Sequence, residues 1–199
     1  MLRNSLIIFL ILFGLSSVSA GGFDKRKLGV EASWTWNAGG FEKNDATDDI
    51  FACGGNLGLC YKLVNRHGWF FEPTISFSYG SYHFFGNGKQ YDTSLTAIEL
   101  PIKFGHDFKL PVLDMTVSPL IAIKPVMALG GHLAVDDADY HWNRFNIAGC
   151  FGFGLLVDDK FGVSIRSDIN LFKSICNLPK STGISNHNGL VNITLKYYF

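Results

Sequence analysis

Residues Asn188–Phe199 read N-G-L-V-N-I-T-L-K-Y-Y-F, with Val191, Ile193, Leu195, Tyr197 and Phe199 on one parity. Asn192, Thr194 and Lys196 take the other. Successive side chains of a strand point to opposite faces, so this alternation predicts a β-strand with one apolar face. Leu28–Asn37 repeats it, setting Leu28, Val30, Ala32, Trp34 and Trp36 against Gly29, Glu31, Ser33 and Thr35. Phe51–Lys62 sets Phe51, Cys53, Leu57, Leu59 and Tyr61 against Asn56, Cys60 and Lys62. Trp69–Gly80 sets Trp69, Phe71, Ile75, Phe77 and Tyr79 against Glu72, Thr74, Ser76 and Ser78. A fourth strand, about Leu95–Gly105, carries Ile98, Leu100, Ile102 and Phe104 against Glu99 and Lys103. Phe145–Val157 and Phe161–Leu171 supply a sixth and a seventh.

The fifth strand, Val112–Leu129, is the least regular. Met115, Val117, Ile121 and Ile123 oppose Asp114, Thr116, Ser118 and Lys124, but Pro119 and Pro125 interrupt the run. Proline cannot donate to a ladder, so a bulge or local break is expected there.

Eight alternating strands predict a closed antiparallel up-and-down barrel. Alternation does not itself say which face looks inward. One reading is a soluble, lipocalin-like ligand-binding barrel with the apolar face inside. The other is a transmembrane β-barrel with that face toward lipid. Eight strands enclose an interior just wide enough for side chains to fill. The apolar parity carries full-sized Trp, Phe, Leu and Ile on every strand and no charge. The other parity mixes Gly, Ala, Ser and Thr with Glu31, Lys62, Glu72, Glu99, Lys103, Asp114, Lys124, Arg166, Asp168 and Lys196. Small residues and pairable charges fit a narrow lumen better, so the apolar face is read as outward.

The connections agree. Asn65–Gly68, Asp107–Pro111 and Asp158–Lys160 are short; Ala38–Ile50, Ser81–Thr93, Gly130–Arg144 and Phe172–His187 are long. Short and long alternate, as do the periplasmic turns and outer loops of outer-membrane barrels. Tyr61, Trp69, Phe104, Phe161, Tyr197 and Phe199 then form one interfacial girdle; Trp36, Tyr79, Trp142 and Phe145 form the other.

Met1–Ala20 has the layout of a secretory signal peptide: Arg3, an apolar Leu6–Leu15 and the small-x-small site Val18-Ser19-Ala20. Residues 1–20 are therefore expected to be a signal peptide and 21–199 the barrel, located in the cell outer membrane. The chain has 17 basic and 17 acidic residues among 199, which gives no electrostatic case for nucleic acid. The expected partners are outer-membrane lipid and envelope proteins, with the barrel itself a monomer.

Glu99-Leu-Pro-Ile-Lys-Phe-Gly105 resembles a motif of the PorT-like outer-membrane β-barrel domain family. Phe151-Gly-Phe-Gly154, the stretch Phe161–Asn170 with its inward Arg166, and the aromatic terminus are also similar to that family. The resemblance implies a small eight-stranded, porin-like outer-membrane protein, often without an assigned activity.

Candidate chemistry is sparse. Inward acids and bases should pair, because an unpaired charge in a narrow interior is costly; Glu99 with Lys103 and Arg166 with Asp168 are the nearest in sequence. Loop 130–144 holds His132, Asp136, Asp137, Asp139 and His141, and the first loop Glu42, Asp45, Asp48 and Asp49, without a metal-ligand spacing. Phe41, Phe84, Phe85, Tyr91, Tyr140 and Trp142 offer a loop surface for binding or for packing at the rim. His83, His132, His141 and His187 lie in outer loops, but no G-x-S-x-G marks a nucleophile. Cys53 is read as outward, Cys60 and Cys150 as inward, and Cys176 as a loop residue. Small buried thiols are the expectation. No catalytic residue, metal or cofactor is assigned. The sequence points to a non-enzymatic barrel that presents loops or supports envelope and secretion machinery. An outer-membrane enzyme acting on lipid or peptide is the alternative.

Overall fold

The computed structural model describes residues 22–37, 51–86, 89–110, 114–131, 141–171, 175–176 and 189–199. Residues 1–20, expected to be a signal peptide, and much of the long connections lie outside these residues. No helix occurs among the described residues. The wall consists of β1 (Phe23–Asn37), β2 (Phe51–Asn65), β3 (Trp69–Gly86), β4 (Lys89–Glu99), β5 (Ile102–His106), β6 (Phe108–Leu110), β7 (Met115–Gly130), β9 (Phe145–Val157), β10 (Phe161–Asn170) and β12 (Gly189–Tyr198). β4, β5 and β6 follow one another along a single stave, so the wall has eight staves. Every pairing is antiparallel, and β1 joins β12 while β2 joins β3, which closes the ring. A closed ring leaves no unpaired edge, which a wall standing in lipid requires.

The outward parity is as the alternation predicts. Leu57 is 70% exposed and Phe153 62%, whereas the inward Glu72 and Asp168 are each 1% exposed. The short turns follow from local chemistry. Asp158 and Asp159 both have positive φ, and Lys160 N–H donates to the Val157 carbonyl at 3.0 Å. Two central residues in that region make the turn whose twist matches a tight hairpin. Gly68, at φ 88°, closes the turn after β2, where its N–H donates to the Asn65 carbonyl.

Four expectations need correction. First, Ser81–Thr93 is mostly ladder rather than loop: β3 and β4 stay paired from Ser76↔Glu99 out to Gly86↔Lys89, forming a long projecting hairpin. Second, Asp107–Pro111 is not a loop throughout, because Phe108–Leu110 continues the stave against Met115–Val117. Third, β7 runs unbroken through both prolines, in one register against β9 from Met115↔Val157 to Met127↔Phe145. The irregularity lies between Thr96 and Ala97 on the β4 side, and the fourth stave is interrupted at Leu100-Pro101. Fourth, Cys176 lies in a short strand, β11 (Ile175–Cys176), paired with β8 (His141–Trp142). That pairing joins the last two long connections.

Candidate functional site

The inward parity converges on the lumen, and its charges form an ionic core of three paired clusters. Nearest the short-turn end, Lys62 Nζ donates to Asp107 Oδ1 at 2.8 Å, and Ser118 Oγ donates to the same oxygen at 2.6 Å. The Lys62 ammonium also lies 4.3 Å from the centre of the Phe70 ring. Farther along the lumen, Lys103 Nζ donates to Glu31 Oε2 at 2.6 Å, Glu72 Oε1 at 2.8 Å and Thr74 Oγ1 at 3.0 Å. Lys196 Nζ donates to Glu72 Oε1 at 2.6 Å, and Tyr198 Oη donates to Glu72 Oε2 at 2.5 Å. Toward the long-loop end, Lys124 sits 2.7 Å from Asp168 and 3.3 Å from Glu99. Arg166 grips Asp168 with two bonds, from Nε at 2.6 Å and Nη2 at 3.1 Å. Bidentate guanidinium–carboxylate geometry is among the strongest available to side chains.

Nine of the ten charges read as inward are in this core. Asp114 is the exception: it is exposed, with positive φ, just before β7. Asp107 supplies the fifth acid instead, from a residue expected in a turn. The pairing also differs from sequence proximity. Arg166 does hold Asp168, but Glu99 faces Lys124 and Lys103 goes to Glu31 and Glu72. Side chains meet across a narrow lumen, so neighbours in space come from different strands. Tyr198 was not singled out from the sequence, although it shares the inward parity of Lys196. Gly29 makes room for it, since a Cβ at Gly29 would lie 2.8 Å from the Tyr198 ring. Gly105 likewise admits Phe70, whose ring a Cβ there would meet at 2.6 Å.

Small cavities remain in the lumen among the described residues. One cavity of about 30 Å3 is lined by Lys62, Phe70, Glu72, Ser118, Lys196 and Tyr198, among others. A second, about 40 Å3, lies under the long-loop end beside Thr35, Ser78, Glu99 and Lys124. Each has room for roughly two or three waters, and paired charges form part of the lining of both. Among the described residues one trio, Glu31, Cys60 and Glu72, brings possible metal-ligand atoms within 4.8 Å of one another. Both carboxylates are already held by Lys103 and Lys196, so ammonium groups stand where a metal would. Cys60 and Cys150 are buried free thiols and Cys53 is partly buried. At the short-turn rim, hydrogen bonds from Lys27 and Lys25 pull the Asp159 carboxyl down to about 2.

The loop candidates are not brought together by anything described. His83, Phe84, Phe85 and Tyr91 fall on the β3–β4 hairpin, and His141 and Trp142 on β8, by backbone position. Phe41, Glu42, Asp45, Asp48, Asp49, His132, Asp136, Asp137, Asp139, Tyr140 and His187 lie outside the described residues.

What decides the setting is the outer wall. Its large exposed side chains include Trp34, Leu59, Phe77, Ile121, Phe153, Ile165 and Leu195, from strands all around the ring. An uncharged apolar belt around an ion-paired interior is the reverse of a soluble barrel. The protein is a membrane-spanning β-barrel. Ring contacts gather at the short-turn end of that belt, where Phe161, Tyr197 and Phe199 touch in series and Trp69 meets His106 edge-on at 5.0 Å. Single-chain barrels of this build belong to the bacterial outer membrane.

No family model matches the chain, and no curated protein matches it. Among solved structures, the chain is similar to Neisserial surface protein A (NspA), at 11% identity and a TM-score of 0.48 over 90% of this chain and 100% of that one. It is also similar to the outer membrane protein Ail of Yersinia pestis, at 12% identity and a TM-score of 0.39, covering 88% and 100%. The outer membrane enzyme PagL matches at 13% identity and a TM-score of 0.42, covering 84% and 98%. None of these likenesses assigns an activity to this chain.

The filled lumen carries a prediction. In planar bilayers the purified barrel should show no stable porin-like conductance. Steady, ion-selective channels whose selectivity changes with Arg166→Ala would overturn the sealed-lumen reading.

Proposed function

We propose that this is a small, non-enzymatic outer-membrane barrel whose work is done at its long-loop end. In this reading it binds partners there or supports envelope machinery. The observation that carries the proposal is the lumen: its ten charges are paired with one another across a packed interior, which leaves the wall as scaffold. A scaffold of that kind positions whatever its connections present. The β3–β4 hairpin and the β8–β11 pair add ordered backbone at that end. The stretch Glu99–Gly105, which resembles the PorT-like barrels, supports grouping the chain with small barrels of envelope systems.

Cell fractionation combined with external proteolysis tests the proposal. The mature chain should partition with outer membranes and require detergent. Protease added to intact cells should cut only in the long connections. Recovery of a stable monomer in the soluble periplasmic fraction would overturn the proposal, as would cleavage confined to the short turns.

A further inference from the structure

Proline is a poor resident of a closed wall, since it has no N–H and there is no edge to hide that loss. Four prolines nevertheless stand in or between adjoining strands: Pro73 in β3, Pro101 between β4 and β5, and Pro119 and Pro125 in β7. The hydrogen bonds show where the missing donors point. Leu100 N–H donates to the Pro125 carbonyl at 2.9 Å, so the return bond to the Leu100 carbonyl is the one lost. Thr74 N–H donates to the Pro101 carbonyl at 2.9 Å, so the return bond to Thr74 is lost as well.

Alternation fixes the other two. Pro119 has the parity of Pro125, in a register against the fourth stave that is constant from Ala97↔Ala128 to Leu110↔Met115, and so faces the same stave near His106. Pro73 adjoins Thr74 and faces the opposite way, toward β2, where the ladder skips from Cys60↔Thr74 to Leu63↔Phe71. The losses around Pro73, Pro101 and Pro125 therefore fall in three successive seams at adjoining positions.

Lumenal side chains span the same seams. Glu72 of β3 and Lys103 of β5 are register partners and an ion pair at 2.8 Å, beside Pro101. Glu99 of β4 faces Lys124 of β7 at 3.3 Å, beside Pro125. Ser118 of β7 donates to Asp107 of the fourth stave at 2.6 Å, beside Pro119. Lys62 of β2 lies over the Phe70 ring of β3, near Pro73.

We propose that this part of the wall is a latched seam: prolines remove backbone donors between β2, β3, the fourth stave and β7, and lumenal side-chain contacts hold those strands together in their place. The wall opens first along this line, and Glu99–Lys124 is the weakest of its ion-pair latches, because it is the longer of the two. The facing wall has no such line. There β10 and β12 pair without a break from Phe161↔Tyr197 to Ile169↔Gly189.

Amide hydrogen exchange of the whole chain, folded in detergent micelles and read by NMR, tests this. Leu100 and Thr74 should exchange faster than Val163 and Ile165. Glu99→Gln, which keeps the shape and removes the charge, should accelerate Leu100 roughly tenfold and leave Val163 unchanged. Pro125→Ala restores a donor to the Leu100 carbonyl and should slow Leu100 by roughly fivefold, the scale of one net hydrogen bond. It should also suppress most of the Glu99→Gln effect. Uniform protection around the wild-type ring would overturn the proposal. So would a Glu99→Gln effect spread evenly over all strands, or a Leu100 rate that Pro125→Ala leaves unchanged. Pro125→Ala keeps the ionic core intact, so it decides the matter even if Glu99→Gln folds poorly.

Discussion

Replacing Lys103 by methionine is expected to lower folding stability by about 3–5 kcal/mol, the range for breaking a buried ion pair from one side. Lys103 is 2% exposed and its ammonium is shared between Glu31, Glu72 and Thr74. Methionine fills similar space but leaves two carboxylates with Lys196 as their nearest cation, 3.7 Å from Glu31. The loss therefore measures the uncompensated acids rather than a cavity. A urea titration of the barrel refolded in lipid vesicles would read it. Lys25→Met, which breaks the exposed contact with Asp159, serves as control and should lie near wild type. A Lys103→Met cost below about 1 kcal/mol would mean that the lumen is wet enough to solvate its charges.

Ile165→Arg is the second large effect expected. Ile165 is half exposed on the outer belt, between Phe153 of β9 and Ile193 of β12. An arginine on the lipid face near mid-membrane costs about 2–4 kcal/mol. Its neighbour Ser164 points the other way and is buried in the lumen. Ser164→Thr adds one methyl beside Gly154 and should be nearly silent. The same titration reads both variants, and equal tolerance at the two positions would refute the assignment of faces.

These two substitutions also show what the sequence discloses. The contrast between Ile165 and Ser164 was legible, because a period of two needs no partner strand to be recognised. The size of Trp34, Phe77 and Phe153 against Gly152, Ser164 and Thr194 was enough to choose which face meets lipid. The partner of Lys103 was not legible. Distance along one strand suggested Glu99, but partners are set by the stagger of strands around the ring, which brings Glu31 and Glu72 to it. Asp107 was missed for a related reason, since its inward parity shows only once the stave is known to continue through Phe108. The prolines misled because each removes one bond toward one neighbour, and the ladder on the other side of β7 keeps its register. For the long connections, irregular composition without a fixed spacing offers no geometry to argue from.

The ionic core also constrains the order in which the barrel can form. Lys103 joins the fourth stave to β1, and Lys196 joins the last strand to β3, so neither contact exists in a sheet that is still open. Ser33 and Thr194, whose hydroxyls meet at 2.8 Å, are 161 residues apart in the chain. A half-closed intermediate would carry bare acids and bases against hydrocarbon, where each is expensive. Glu72–Lys103 and Glu99–Lys124 pair between adjoining strands and need no closure. Glu31 and Lys196, on the first and last strands, find their partners only as the last seam is made. The two charges left bare at the open edge thus tie the last step of closure to the ionic core.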